Sequence, residues 1–340
     1  MERRPSGAQC GDGRAPGTAC PGLRFAPSGL RALALFCALT VQQSAAAADC
    51  RELEQNYNLA KAGISSIQLN AILFAAAARD CRALARRLID AGASLQARDR
   101  AGAMPLALAA RGGHVALTER FIAEGAAVDA RDLNGATALH TAAEGERPAT
   151  VAALLARGAD PNLPGRSGVS PLAAAAFRGN DRIVELLLSR GAEPDHVDTT
   201  GKAPIVYAAA RGFALAVRRL LDAGVDAKAR YGNDLTALMW AAGHEDGVGG
   251  AAAVAVVGLL VERGAAIDAA DNRGRTALMI AAERGNAVVV EALVMHGADR
   301  DLRDRSGKTA RDLAGNDAVR EALAALADMS TAPPDTPRAP

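Results

Sequence analysis

A unit of 33 residues recurs along this chain, and that interval decides what it can fold into. Gly102, Gly135, Gly168 and Gly201 are each 33 residues apart, and Asp234 holds the next place. One step of 40 follows, after which Gly274 and Gly307 are again 33 apart. Two residues past each marker the chain reads Met104-Pro105-Leu106, Thr137-Ala138-Leu139, Ser170-Pro171-Leu172, Ala203-Pro204-Ile205, Thr236-Ala237-Leu238, Thr276-Ala277-Leu278 and Thr309-Ala310. An alanine pair then recurs at fixed offset, from Ala109-Ala110 to Ala281-Ala282. A fixed period of this length denotes stacked units that bury their apolar faces only against one another. Function is therefore expected on an extended surface rather than in one pocket.

Each unit reads as turn, helix, turn, helix. Thr137, Ser170, Thr236 and Thr276 stand where a helix N-cap is needed. Pro105, Pro171 and Pro204 fall at the first helical position, where a missing N–H costs nothing. Met104 and Ala203 offer no capping oxygen, so those helix starts should be weaker by about 1 kcal/mol each. The first helix is short and alanine-lined, so neighbouring backbones can approach closely. It breaks at Gly113, Gly179, Gly212 and Gly285. The second helix carries apolar residues at helical spacing, such as Ile183, Val184, Leu187 and Leu188. Glycines from Gly92 to Gly297 end these helices, each suited to a left-handed C′ position.

The pattern resembles the ankyrin repeat, whose signature opens the first helix with T-P-L-H-x-A-A. Only Thr137–His140 keeps both the Thr and the His of that signature. The resemblance covers about residues 69–327 and implies an all-α solenoid of paired helices with hairpin loops projecting to one side. Residues 49–70 read as an N-terminal cap and residues 71–327 as about seven units with a truncated one from Gly307. Residues 317–326 read as a closing helix, and residues 328–340 as a disordered tail.

Composition agrees with a solenoid. Half the residues are hydrophobic but only 3% are aromatic, which suits helices packed through Ala and Leu. The net charge of +1 leaves no domain-wide basic field, so nucleic acid is not the expected partner. The first 48 residues differ in kind. An apolar run over residues 30–41 follows a basic stretch and leads to Ala45-Ala46-Ala47, as in a cleaved export signal. The stretch before the run is long for such a signal, which fits a true start downstream at Leu23 or Leu30. The run is short for a membrane span, so no stable anchor is expected. Residues 49–340 then carry 34 basic and 36 acidic groups, net −2, and keep only Cys50 and Cys81 of five cysteines. Two cysteines in an exported chain suggest a disulfide between cap and first unit.

No nucleophile, phosphate-loop or metal motif is present: there is no G-x-S-x-G, Walker loop, H-E-x-x-H or C-x-x-C. No enzymatic activity, cofactor or metal is expected. His114, His140 and His296 stand at ordinary repeat positions. His244-Glu245-Asp246 opens the one insertion, residues 244–250, which reads as a longer turn between two helices. The resemblance implies that the residue after the first-helix His position, and the one three further on, face a groove. These are Leu108 and Arg111, Thr141 and Glu144, Ala174 and Phe177, Tyr207 and Ala210, Trp240 and Gly243, Ile280 and Glu283. Phe177, Tyr207 and Trp240 fall in consecutive units, which predicts a ladder of rings spaced about 10 Å apart. Arg178 and Arg211 flank it, and Tyr231 is placed at an adjoining loop tip. Aromatic rings beside arginines have the composition of a binding hot spot. Loop-tip residues Arg131, Asp132, Arg166, Asp198, Arg230, Asp271 and Arg303 mix both signs and point to no particular charged ligand.

The sequence thus predicts a monomeric, periplasmic or secreted module that binds a protein along its groove and loop tips. A secreted effector acting on host proteins, or an inhibitor or accessory subunit of an exported enzyme, are the alternatives.

Overall fold

A computed structural model describes residues 50–244 and 249–330. The leader, the insertion tip at residues 245–248 and the tail from residue 331 lie outside the described residues.

Helix α1 spans residues 50–60. Seven pairs follow: α2 (Ser66–Ala78) with α3 (Arg82–Asp90), α4 (Pro105–Gly112) with α5 (Val115–Ala123), α6 (Ala138–Glu144) with α7 (Pro148–Ala156), α8 (Pro171–Arg178) with α9 (Asp181–Ser189), α10 (Pro204–Ala210) with α11 (Ala214–Asp222), α12 (Ala237–Ala242) with α13 (Gly250–Glu262), and α14 (Ala277–Glu283) with α15 (Ala287–Met295). Helix α16 (Asp317–Ser330) packs on α15 and closes the array. In the last unit the first helix shrinks to a turn at residues 310–313.

First helices stack on first helices from α2 to α14, and second helices stack in a parallel layer. The inner stack is set by the alanine pairs. Ala109-Ala110, Ala142-Ala143, Ala175-Ala176, Ala208-Ala209, Ala241-Ala242 and Ala281-Ala282 are all fully buried. Ala76 and Ala77, also fully buried, supply the same pair in the first unit. Larger side chains fill the space between the two layers: Leu139, Leu172, Ile205 and Leu238 from first helices, Phe121, Leu154, Ile183 and Leu220 from second helices.

The helix starts follow the side-chain chemistry. The hydroxyls of Thr137, Ser170, Thr236 and Thr276 accept the amides of His140, Ala173, Met239 and Met279. Met104 and Ala203 cap α4 and α10 with no side-chain bond. Gly113, Gly179, Gly212 and Gly285 all have φ between 69° and 84° at the helix–helix break. Asp80 and Glu146 take that place in two units at φ 57°, a left-handed conformation that costs a non-glycine residue about 1–2 kcal/mol.

A carboxylate organises most of the projecting loops. Asp99, Asp132, Asp198, Asp271 and Asp304 stand three residues before their marker glycines. In each, one oxygen accepts the backbone amides two and four residues on. Gly165 and Tyr231 replace this aspartate in two units. There the tip tightens into a 3-10 turn, Arg166–Gly168 or Gly232–Asp234, with Ser167 at φ 58° and Asn233 at φ 64°. Arg230–Tyr231 pairs antiparallel with Leu235–Thr236, Tyr231 opposite Leu235. Adjacent loops are joined by backbone bonds, including Thr199 N to Ser167 O at 2.9 Å and Gly232 N to Gly201 O at 2.8 Å.

Two boundaries differ from the sequence reading. The insertion does not all enter the turn. Helix α13 has 13 residues where the other second helices have 9, because residues 250–253 add one helical turn to its start. The closing helix runs through Ser330, so residues 328–330 are helical rather than part of a disordered tail.

At the N-terminus, Cys50 and Cys81 are disulfide-bonded with their Cα atoms 5.5 Å apart, tying α1 to the start of α3. Buried Tyr57 lies under the Arg87 guanidinium at 5.3 Å, and Arg87 also pairs with Glu54.

The tight inner stack has a direct consequence. Replacing Ala142 with Leu forces α6 away from α4 and α8 and should cost about 1–3 kcal/mol. In urea the unfolding midpoint should fall with the slope unchanged. An unshifted midpoint would show that the helices are not held at alanine-limited separation.

Candidate functional site

The first helices and projecting loops bound one long face. Its helices meet through buried alanines, and larger side chains such as Arg111, Glu144, Arg178 and Glu283 project from it exposed. Rings interrupt it over three units. Phe177, at the end of α8, meets Tyr207 of α10 edge to face, with ring centroids 6.0 Å apart. This is closer than one rung of the predicted ladder. The two residues hold different positions in their units, so Phe177 leans from the end of one helix toward the middle of the next. Cations complete the row. The Arg211 guanidinium lies 4.4 Å from the Phe177 centroid and 5.7 Å from that of Phe213. Lys202 Nζ lies 5.6 Å from the Tyr207 ring and 5.1 Å from the Trp240 ring. Arg211, Phe177, Tyr207, Lys202 and Trp240 form one continuous ribbon, each cation on a ring face or between two rings.

Tyr207 is held from below. Its hydroxyl donates to Asp198, whose carboxylate also accepts the Thr200 hydroxyl at 2.7 Å. Burial pushes Asp198 up, but the Tyr207 hydroxyl, the Lys202 amide and the Thr200 hydroxyl and amide outweigh it, so its pKa falls below the usual carboxylate value. Burial, then the bond to Asp198 and its charge, push the Tyr207 phenol up to about 12.

Several side chains sit deeper than the sequence predicted. Trp240 is half-buried rather than freely exposed, packed against the core and covered by Lys202. Its indole N–H is buried and meets no acceptor among the described residues. Tyr231 is not at an exposed loop tip. It is 8% exposed, because it replaces the turn aspartate and turns its ring inward, and its hydroxyl donates to Asp195 at 2.7 Å. Burial and that carboxylate raise its pKa strongly. Ile280 is also 8% exposed, since it fills the space left by Gly243 of the preceding unit, where a Cβ would meet Ile280 Cγ2 at 2.9 Å. Leu108 is half-buried against the core, and Thr141, Ala174 and Ala210 are buried. Arg111 and Arg178 are exposed, as are Glu144 and Glu283. Asp198 and Asp271, read from sequence as loop-tip charges, are 6% and 5% exposed because they staple the turns.

Two clefts flank the ribbon. The first, of about 500 Å³, is bounded by Arg111, Arg166 and Arg178, by Asp132 and Glu144, and by the Phe177 and Tyr207 rings, with His140 in its wall. The second, of about 420 Å³, lies beyond Trp240 and is bounded by Ile280, Arg275, Glu283 and Arg284. Arg275 is fixed there by Asp271, with Nε and Nη2 at 3.0 and 2.9 Å from the same oxygen, and by Glu283 at 2.9 Å. Sequence reasoning missed Lys202 and treated His140 and Arg166 as ordinary. A lysine directly after a marker glycine, in the unit of the only Trp's neighbour, was the available signal for Lys202.

His140 is unusual among these. It is 8% exposed, and neither ring nitrogen makes a hydrogen bond of good geometry. The ring lies against Gly165, where a Cβ would come within 2.8 Å of Nε2, so the ring occupies room that a turn aspartate would need. Burial lowers its pKa below 6.5, against the opposing pull of Glu144, the Val169 backbone and Asp132.

Comparison with known proteins gives a consistent result. A family model described as ankyrin repeats (3 copies) matches residues 72–164 and 172–249. Ankyrin repeats (many copies) match residues 260–314, and a single ankyrin repeat matches residues 233–272. The crystal structure of the human ASB11 ankyrin repeat domain is similar at 30% identity and a TM-score of 0.59, over 68% of this chain and 100% of that one. No curated protein matches. Among the described residues no helix is long and apolar enough to cross a membrane, and no cluster of His, Cys, Asp and Glu is placed to hold a metal.

The buried imidazole makes stability depend on pH. Because folding lowers the His140 pKa, the unfolded chain takes up its proton first. The stability held above the unfolded value near 6.5 is then lost as pH falls toward the folded value. Urea midpoints measured on either side of pH 6.5 should differ less in His140→Gln than in the wild type. Equal pH slopes would mean that His140 keeps an ordinary pKa in the folded protein.

Proposed function

The chain belongs to the ankyrin-repeat family, a fold of protein–protein interaction modules, and on that premise we propose that it is an exported, non-enzymatic binder whose aromatic–cation ribbon is the centre of its contact surface. The observation that carries this reading is the continuity of the ribbon. Three rings in consecutive units are joined by Lys202 and Arg211 into one line along the inner face. Rings already held by neighbours lose little conformational freedom when a partner arrives. The partner is a protein, consistent with the family and with the lack of a broad basic field.

Export is supported by the leader pattern and by the Cys50–Cys81 bridge, since disulfides persist in oxidising compartments. The same bridge favours action outside the cytosol over an effector role inside a host cell. N-terminal sequencing of the protein recovered from the exported fraction should begin within a few residues of Ala48. Recovery of a chain that retains residues 1–29 would remove the export reading.

Partner capture by crosslinking, followed by affinity measurement, tests the ribbon. Trp240→Ala should weaken binding by at least about 2 kcal/mol. Leu238→Ala, in the fully buried layer, should instead cost roughly 2–5 kcal/mol of stability. Partner affinity unchanged by Trp240→Ala in a folded protein would take the ribbon out of the interface.

A further inference from the structure

We propose that the cleft bounded by Arg111, Arg166 and Arg178 seats a carboxylate side chain from an acidic, extended segment of the protein partner. This rests on the reading that the inner face is the contact surface, and it adds the chemistry of what binds there.

The argument begins with how arginines are used elsewhere. On the second-helix side, arginines tie one unit to the next. Arg157 pairs with Glu119 at 3.5 Å, Arg219 with Asp181 and Glu185, and Arg263 with Asp222 at 2.7 Å. Arg275 in the second cleft is likewise neutralised by Asp271 and Glu283. Among the described residues the guanidiniums of Arg111, Arg166 and Arg178 form no ion pair or hydrogen bond, yet all three line one cleft. Of the two acidic groups in that cleft, Asp132 spends an oxygen on the amides of Asn134 and Ala136. Glu144 is exposed and pairs with none of the three arginines. Three guanidiniums against two carboxylates leave the cleft with a positive balance, although residues 49–340 carry a net charge of −2.

The shape of the cleft suits an extended chain. The floor is formed by Ala136, Ala173 and Ala174, which leaves room for a main chain, and the Phe177 and Tyr207 rings wall one side. Asp132 and Glu144 decide between anionic partners. They would repel a nucleic-acid backbone with its closely spaced phosphates, but a peptide can place its carboxylates between them.

The test measures fluorescence anisotropy of labelled probes on the full exported chain. The probes are an alternating Glu-Ala peptide, an alternating Lys-Ala peptide and an oligothymidylate. The Glu-Ala peptide should bind best, with affinity falling as salt rises. Arg111→Glu with Arg178→Glu should weaken it at least about tenfold, while Arg182→Glu on α9 should leave it unchanged. Circular dichroism establishes that each variant is folded, and Arg111→Gln with Arg178→Gln serves if the reversals unfold. Equal loss in Arg182→Glu, no loss in the double variant, or preference for oligothymidylate would each overturn the proposal. Self-association abolished by the same reversals would give the cleft to a second copy of the chain and also overturn it. Partner capture separates the two levels of argument. If Trp240→Ala loses the partner and the arginine reversals keep it, the inner-face reading stands and the acidic segment falls. If both variants keep the partner, both readings fall.

Discussion

Everything in this molecule depends on how closely one first helix can lie against the next. The alanine pairs, each fully buried, set that separation and repeat it at every step. Two consequences follow from the same cause. Larger side chains must collect between the inner and outer layers, where Leu139, Leu172, Ile205 and Leu238 form a continuous core. Side chains too large for the stack must project onto the inner face, as Arg111, Glu144, Phe177 and Arg178 do. A chain with only 3% aromatic residues can hold such a core because each unit borrows apolar surface from both neighbours. The units at the ends lack one neighbour. The N-terminal end is closed by α1, its disulfide and the stack of Arg87 on Tyr57, the C-terminal end by α16.

The repeat and its punctuation were legible because they are local. A capping hydroxyl, a proline at the first helical position and a glycine at positive φ act within a few residues, so their spacing alone places the helices. The turn aspartates were present in the sequence at an equally regular offset, and their meaning was missed. Read as surface charges, they suggested a ligand-neutral loop tip. In the folded chain the carboxylate of Asp198 or Asp271 points inward and replaces hydrogen bonds that the backbone of the turn would otherwise lack. The two units without that aspartate are the two with 3-10 tips, which shows how much one carboxylate decides.

The candidate site was legible only in part, for a different reason. Helical spacing places Phe177, Tyr207 and Trp240 on one face, but it says nothing of depth or reach. Trp240 is half-buried because Lys202, from a loop in the preceding unit, lies across its ring. Tyr231 and Ile280 are buried because a neighbouring position is atypical: a missing turn aspartate in one case, Gly243 in the other. His140 is buried against Gly165 on the same logic. In a stacked array, each side chain's exposure is set by the residue one period away, so exposure is a property of pairs of units and is not visible in one.

That coupling also explains how the inner face is held in place. Most polar groups on the inner face are satisfied within one unit or by the next: Tyr207 by Asp198, Tyr231 by Asp195, Arg275 by Asp271 and Glu283. His140 and Trp240 are held by packing instead: His140 lies against Gly165, and Trp240 lies against the core beneath Lys202. Each lines a different cleft, one on either side of the ribbon. The centre of the face, where cations lie on rings, is thus fixed in advance, and groups fixed in advance lose little conformational freedom when something docks on them.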